Sequence, residues 1–210
     1  MITSFLSSFI VFCLMIAYVT RKHRRMEEKS IKEFWEREAK ANNTRKKPLE
    51  HLPFITIPFD SLPMEILKDN PNVAECHDLL ASLSSGKILN LTGYTNTDLK
   101  LEYGTANITL LTEYDQNYTL LVRTLQDWAE VLYLSGYEEE ARTVLEFAVS
   151  TQTDVSHTYY LLADIYDKYG DASKKAALIE TAGSLRSSMK NAIVRTLQES
   201  GPYSGWLHSV

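Results

Sequence analysis

The sequence predicts an all-α protein whose second half is built from paired antiparallel helices, tied to an uncharged apolar N-terminus. Three observations carry this. Val122 to Gly183 writes a helical hairpin twice, with like residues 34 apart: Trp128/Leu162, Ala129/Ala163, Leu132/Tyr166, Gly136/Gly170 and Ala148/Ala182. Ile2 to Val19 contains no charged residue, and Arg21, Lys22, Arg24 and Arg25 follow at once. Pro48, Pro53, Pro58 and Pro63 recur every five residues, which breaks any helix and separates the two halves.

The apolar run, residues 1–20, is near the lower length at which a helix spans a hydrocarbon core. A cleavable signal peptide is the rival, but its positive charge normally precedes the apolar stretch and small residues mark the cleavage site. Here the charge follows, and Ile16-Ala17-Tyr18-Val19-Thr20 is a poor site. The expectation is a retained single-pass anchor in the cell membrane. By the positive-inside rule the N-terminus is then outside and the C-terminal domain cytoplasmic. Two cysteines, Cys13 and Cys76, write no disulfide framework.

Residues 21–47 form a basic stem with 11 Lys/Arg against 5 Asp/Glu, while the remainder of the chain carries 11 against 22. Glu27 to Ala41 is expected as a charged helix, with Glu33/Arg37 and Glu36/Lys40 paired along it. Its short stripe Ile31, Phe34 and Trp35 can rest on anionic headgroups, or the helix can stand in solvent as a spacer. Residues 48–69 are a Pro-rich strap whose Leu52, Phe54, Ile55, Ile57, Phe59 and Leu62 are too apolar for a free linker, so docking is expected.

Residues 70–200 make the helical domain. Asn70-Pro71 starts a helix that Gly86 ends. Thr92 to Gly104 has no clear period and is expected as an ordered, packed loop. The sequons at Asn90, Asn107 and Asn117 are expected to be chance matches in a cytoplasmic domain. Thr105 should cap a short helix, a long helix should begin near Asp115, and a capping helix should run from Ser184 to Gln198. Residues 201–210 are a tail in which Tyr203, Trp206 and Leu207 can dock.

A period of 34, a small residue in mid first helix and Gly at the turn resemble tetratricopeptide (TPR-like) repeats, about two of them. An ordinary helical bundle is the bland alternative. The likeness covers about 62 residues of 210 and departs at Thr153, where a Pro usually closes the repeat. The wider package also carries a resemblance. It comprises anchor, stem, I-T-I-P (Ile55 to Pro58), N-T-D-L-K-L-E-Y-G-T-A-N-I (Asn96 to Ile108) and E-Y-D-Q-N-Y (Glu113 to Tyr118). It is similar to a family of single-pass, membrane-anchored TPR-like proteins of clostridial-type (Firmicutes) bacteria, for which no activity is established. The resemblance implies topology and fold and leaves function open.

No phosphate loop, dinucleotide fingerprint, H-E-x-x-H or G-x-S-x-G is present, so no cofactor, metal or enzyme chemistry is nominated. Cys76-His77 lacks partners at ligand spacing, and Cys76 is expected as a small core residue. The acidic balance disfavours nucleic acid. Carrying TPR positions over, the concave face would show Arg123, Gln126, Glu130, Tyr133, His157, Tyr160, Asp164 and Asp167. Glu130 and Asp164 occupy the equivalent position of both copies, which would repel a carboxylate and suit basic protein segments. The alternative is that these are ordinary solvated positions.

The expected function is a membrane-tethered cytoplasmic adaptor that binds protein or peptide partners through this acidic face, the chain's own stem among the candidates. The alternatives are a structural or self-associating accessory subunit, or an enzyme using the 92–104 loop.

Overall fold

A computed structural model of the chain describes residues 2–199, with the backbone alone for 2–8, 10, 11 and 13. Among the described residues all regular structure is helical. The eight helices are α1 (Ile2–Asn42), α2 (Pro71–Leu83), α3 (Asn96–Tyr103), α4 (Ile108–Leu134), α5 (Glu138–Ser150), α6 (Ser156–Tyr169), α7 (Ala172–Ser184) and α8 (Lys190–Gln198). Short 3-10 turns occupy Phe59–Ser61 and Thr105–Asn107. The chain divides into two compact units, Met1–Pro48 with Thr95–Ile108, and Leu49–Tyr94 with Thr109–Val210.

In the first unit, α1 is one uninterrupted helix of 41 residues, about 60 Å long. The expected anchor and stem are therefore continuous. The exposed pairs along it are Lys29–Glu33 and Lys32–Glu36, both 3.7 Å. Arg37 and Glu38 turn instead to α3. Arg37 Nη2 lies 2.5 Å from Asp98 Oδ1, Lys100 Nζ donates to Glu38 and to Asn42 Oδ1 (2.9 Å), and Thr97 Oγ1 donates to Glu38 Oε2 (2.7 Å). The orphan carbonyls at the end of α1 are met by Thr105, whose Oγ1 donates to the carbonyls of Ala41 and Asn42. Thr105 thus closes α1 rather than capping a helix of its own.

The expected loop at 92–104 is corrected: α3 fills most of it. Thr95 Oγ1 accepts from Asp98 N–H while Asp98 accepts from Thr95 N–H, a complete capping box. The helix buries Leu99 and Tyr103. Gly104 follows with φ of 88°, and a Cβ there would overlap the Arg45 carbonyl.

In the second unit the strap is packed. Ile57 and Leu62 are buried, Ile55 N–H donates to the Ile88 carbonyl (2.9 Å), and Phe54 meets Tyr114 edge-on at 5.5 Å with Lys87 over its ring. Asn70 caps α2 by accepting from Asn72 N–H at 3.0 Å. The core gathers Val73, Leu80, Leu121, Leu125, Trp128 and Leu132 with Val144, Leu145, Leu162 and Ile165. Ala129, Ala141, Ala148, Ala163 and Ala182 are all buried where helices approach. Lys175 takes the position equivalent to Ala141 and reaches out to Asp167 instead.

The two hairpins repeat their hydrogen bonds as well as their residues. Tyr137 N–H donates to Leu132 O (2.9 Å) and Asp171 N–H to Tyr166 O (2.8 Å); Gly136 N–H donates to Tyr133 O (3.0 Å) and Gly170 N–H to Asp167 O (3.2 Å). This pair of bonds is the Schellman closure, which needs a left-handed residue. Gly136 and Gly170 supply it with φ of 87° and 73°. The bounds of α5 and α7 translate onto each other by the same 34 residues.

The turn between α5 and α6 is closed by a polar hub in place of proline. Asn90 Nδ2 donates to Tyr118 Oη (2.9 Å) and to the carbonyls of Thr151 and Gln152, and Tyr159 Oη donates to Thr153 O (2.8 Å). Burial pushes the Tyr118 phenol up to about 12. The final helix is shorter than expected, with residues 185–189 separating α7 from α8.

Among the described residues no helix is long and apolar enough to cross a membrane. Much of the expected anchor falls on side chains outside the described set, as do Cys13 and the tail at 201–210.

Substituting Gly136→Ala or Gly170→Ala should cost about 1 kcal/mol each in urea unfolding, from backbone strain alone, since an added Cβ meets nothing within 4 Å. Gly104→Ala should cost more; equal losses at all three would contradict the overlap at Arg45. The α1–α3 contact should also be acid-labile. The Glu38 carboxyl is held below its ordinary value by Lys100 and Thr97, and Asp98 by the hydroxyl and amide of Thr95. Carboxyls so depressed stabilise the fold above the unfolded value of about 4 and lose that contribution as pH falls through the lower folded value. Amide exchange over 96–103, corrected for its intrinsic rate, should accelerate below about pH 4. Unchanged protection there would contradict this.

Candidate functional site

The eight residues expected on the concave face all lie on α4 and α6, and their surroundings divide them. Gln126 is buried; its Oε1 accepts from Thr158 Oγ1 at 2.8 Å, so it ties α4 to α6. Tyr133 Oη donates to Asp164 Oδ2 at 3.0 Å, which brings these two predicted residues into contact. Burial and the Asp164 carboxylate push the Tyr133 phenol up to about 12. Asp167 is exposed and paired with Lys175 Nζ at 2.5 Å. His157 and Tyr160 are half-buried, Tyr160 against the core, and Arg123 is exposed.

Acids nearer the turns are paired as well. Glu138 holds Lys168, and Arg142 lies 2.8 Å from Glu139 and 3.8 Å from Asp171. Asp164 and Asp167, expected to face a ligand, already have donors within the fold.

Glu130 points elsewhere. It lines a cleft of about 390 Å³ between α2 and α4, together with Glu75 and Asp127. Cys76, Leu79, Val131 and Leu134 form the apolar part of the wall, and Asn72 and Thr124 complete the polar part. Three carboxylates and no basic side chain line this cleft. Burial raises the Asp127 carboxyl, and the charge of Arg123, one helical turn earlier, partly offsets this. Burial and the nearby Asp127 and Glu75 carboxylates push the Cys76 thiol up to about 11. At neutral pH that thiol is protonated and a poor nucleophile. His77 packs edge-on against Trp128 at 4.8 Å, and burial lowers its pKa.

Such a cleft suits a cationic side chain with an aliphatic stem. Lys or Arg would lay its methylenes on Leu79 and Val131 and its charge among the carboxylates. Among the described residues no group of three or more His, Cys, Asp or Glu is placed to hold a metal ion.

Glu75 and Asp127 escaped the sequence reading because they sit on helices whose pairing no repeat register dictates. A second cleft of about 450 Å³ lies among α5, α6 and α7, where Val149, Leu162, Tyr166 and Leu178 are rimmed by Glu146 and Lys174. Its rim charges already face each other at 3.2 Å.

Two of the three sequon asparagines are engaged by the fold. Asn107 is fully buried with Nδ2 donating to the carbonyls of Lys47 and Tyr103, and Asn90 is committed to the polar hub. Neither side chain is placed to carry a glycan.

Comparison with protein-family models, with curated proteins and with solved structures finds no match to this chain.

Proposed function

We propose that this chain is a membrane-tethered, cytoplasm-facing adaptor of TPR-like architecture, akin to the clostridial-type family it resembles, which binds basic segments of protein partners. The observation that carries the binding reading is the cleft lining: Glu75, Asp127 and Glu130 beside Leu79, Val131 and Leu134, with no cation among them. The 34-residue translation of helix bounds and turn hydrogen bonds supports the TPR-like reading. The uncharged run from Ile2 to Val19, followed by four basic residues within five positions, supports the anchor and its orientation.

The site is more compact than an open concave face. Asp164 and Asp167 serve the fold through Tyr133 and Lys175, and the working acids are Glu130 with its neighbours on α2 and α4. Most of the 92–104 segment, where the enzyme alternative placed its site, is the capped helix α3 packed on α1.

A fluorescent Lys/Arg-rich peptide tests this. Reversing Glu75, Asp127 and Glu130 to Lys should weaken its binding about tenfold or more, taking each exposed pair at up to about 1 kcal/mol. Reversing the exposed Glu113, Glu180 and Glu199 should leave most of the affinity in place. Equal losses in the two triple variants would reduce the attraction to net charge and sink the cleft. Binding should also fall as the solution is acidified through the raised Asp127 range, because the protonated carboxyl no longer attracts a cation.

A further inference from the structure

Ile31, Phe34, Trp35, Glu38, Ala41 and Asn42 follow helical spacing and lie along one face of α1. The upper part of that face is covered. Ala41 is fully buried, and Glu38 and Asn42 are bound by Lys100 of α3. The lower part is bare: Ile31, Phe34 and Trp35 are 50%, 55% and 61% exposed. Phe34 and Trp35 meet edge-on at 5.4 Å and together make one apolar ledge. The Lys29–Glu33 and Lys32–Glu36 pairs occupy the opposite face.

The continuity of α1 fixes where this ledge stands, on the reading that residues 2–19 cross a membrane. From Val19 the helix rises about 18 Å to Ile31 and about 24 Å to Trp35. The polar layer of a bilayer adds only roughly 5–8 Å on each side of the hydrocarbon. A usual tilt of about 20° shortens the rise by only a few per cent. A straight helix therefore lifts the ledge clear of the headgroups, and lipid is not its cover.

We propose that the ledge is a self-association surface, on which α1 of a second copy packs in parallel. Copies anchored in one membrane share orientation and height, so identical ledges meet in register without further alignment. Confinement to the membrane also raises their effective concentration. The contact continues the face whose far end carries the buried Ala41 and the Lys100 contacts of α3. On the same face below lie Arg24 and Glu27, of opposite sign, so parallel copies bring Arg beside Glu as well as like beside like.

The inference rests on the membrane anchoring proposed above, and the test separates the two. The full-length chain on a Cys13→Ser background carries Ile31→Cys or Phe34→Cys on the ledge, or Glu36→Cys on the opposite face. Each is reconstituted in phospholipid vesicles, floated on a density gradient and oxidised. Flotation with a disulfide-linked dimer at 31 and 34 but not at 36 supports the proposal. Adding Trp35→Ser to Phe34→Cys should then remove that dimer. Flotation with no dimer at the ledge positions, or with equal dimer at all three, overturns the pairing and leaves the anchor standing. Failure to float overturns the anchor, and the pairing with it.

Discussion

The left-handed turn at Gly136 and Gly170 is the constraint on which the second unit depends. A side chain there would carry backbone strain in each copy, and without the turn neither Schellman closure forms. Closing α4 and α6 at equivalent points sets where α5 and α7 begin. That in turn brings Ala141, Ala148 and Ala182 into the seams, and the alanines let Trp128, Leu132, Leu145 and Leu162 fill one contiguous core. The strap then adds Ile57 and Leu62 to the same core. A Pro-interrupted segment whose regular structure is one short 3-10 turn thus becomes part of the folded unit.

The first unit works by a different constraint, the uninterrupted hydrogen-bond ladder of α1. A continuous helix converts sequence separation into distance, so a residue near the apolar run and one beside α3 cannot share a location. The sequence allowed Trp35 to rest on headgroups and to follow an anchor at once. Helical rise makes these alternatives for a straight α1. The polar grip of Arg37, Glu38 and Asn42 on α3 marks where that ledge ends.

Much of this was legible in the residues, and the gaps have physical causes. Ala129, Trp128 and Leu162 declared their burial through period and size. The Asn70-Pro71 start of α2 was written in cap chemistry. The capping box at Thr95 and Asp98 was written too, but α3 has few apolar positions and so no amphipathic period to announce it. Long-range charge choices were not legible: Arg37 prefers Asp98 to its neighbour Glu33, and Lys175 claims Asp167. Such pairings depend on which helices meet. For the same reason Glu130 was expected beside Asp164, whereas the fold sets it in a cleft with Glu75 and Asp127.

Amide hydrogen exchange of the full-length chain with and without a Lys/Arg-rich peptide distinguishes the α2–α4 cleft from the open face. Added protection should concentrate in α2 and in the last three turns of α4, where Glu75, Asp127 and Glu130 reside. Protection confined to α6 and the start of α7, around Asp164 and Asp167, would contradict it and return the site to the open concave face.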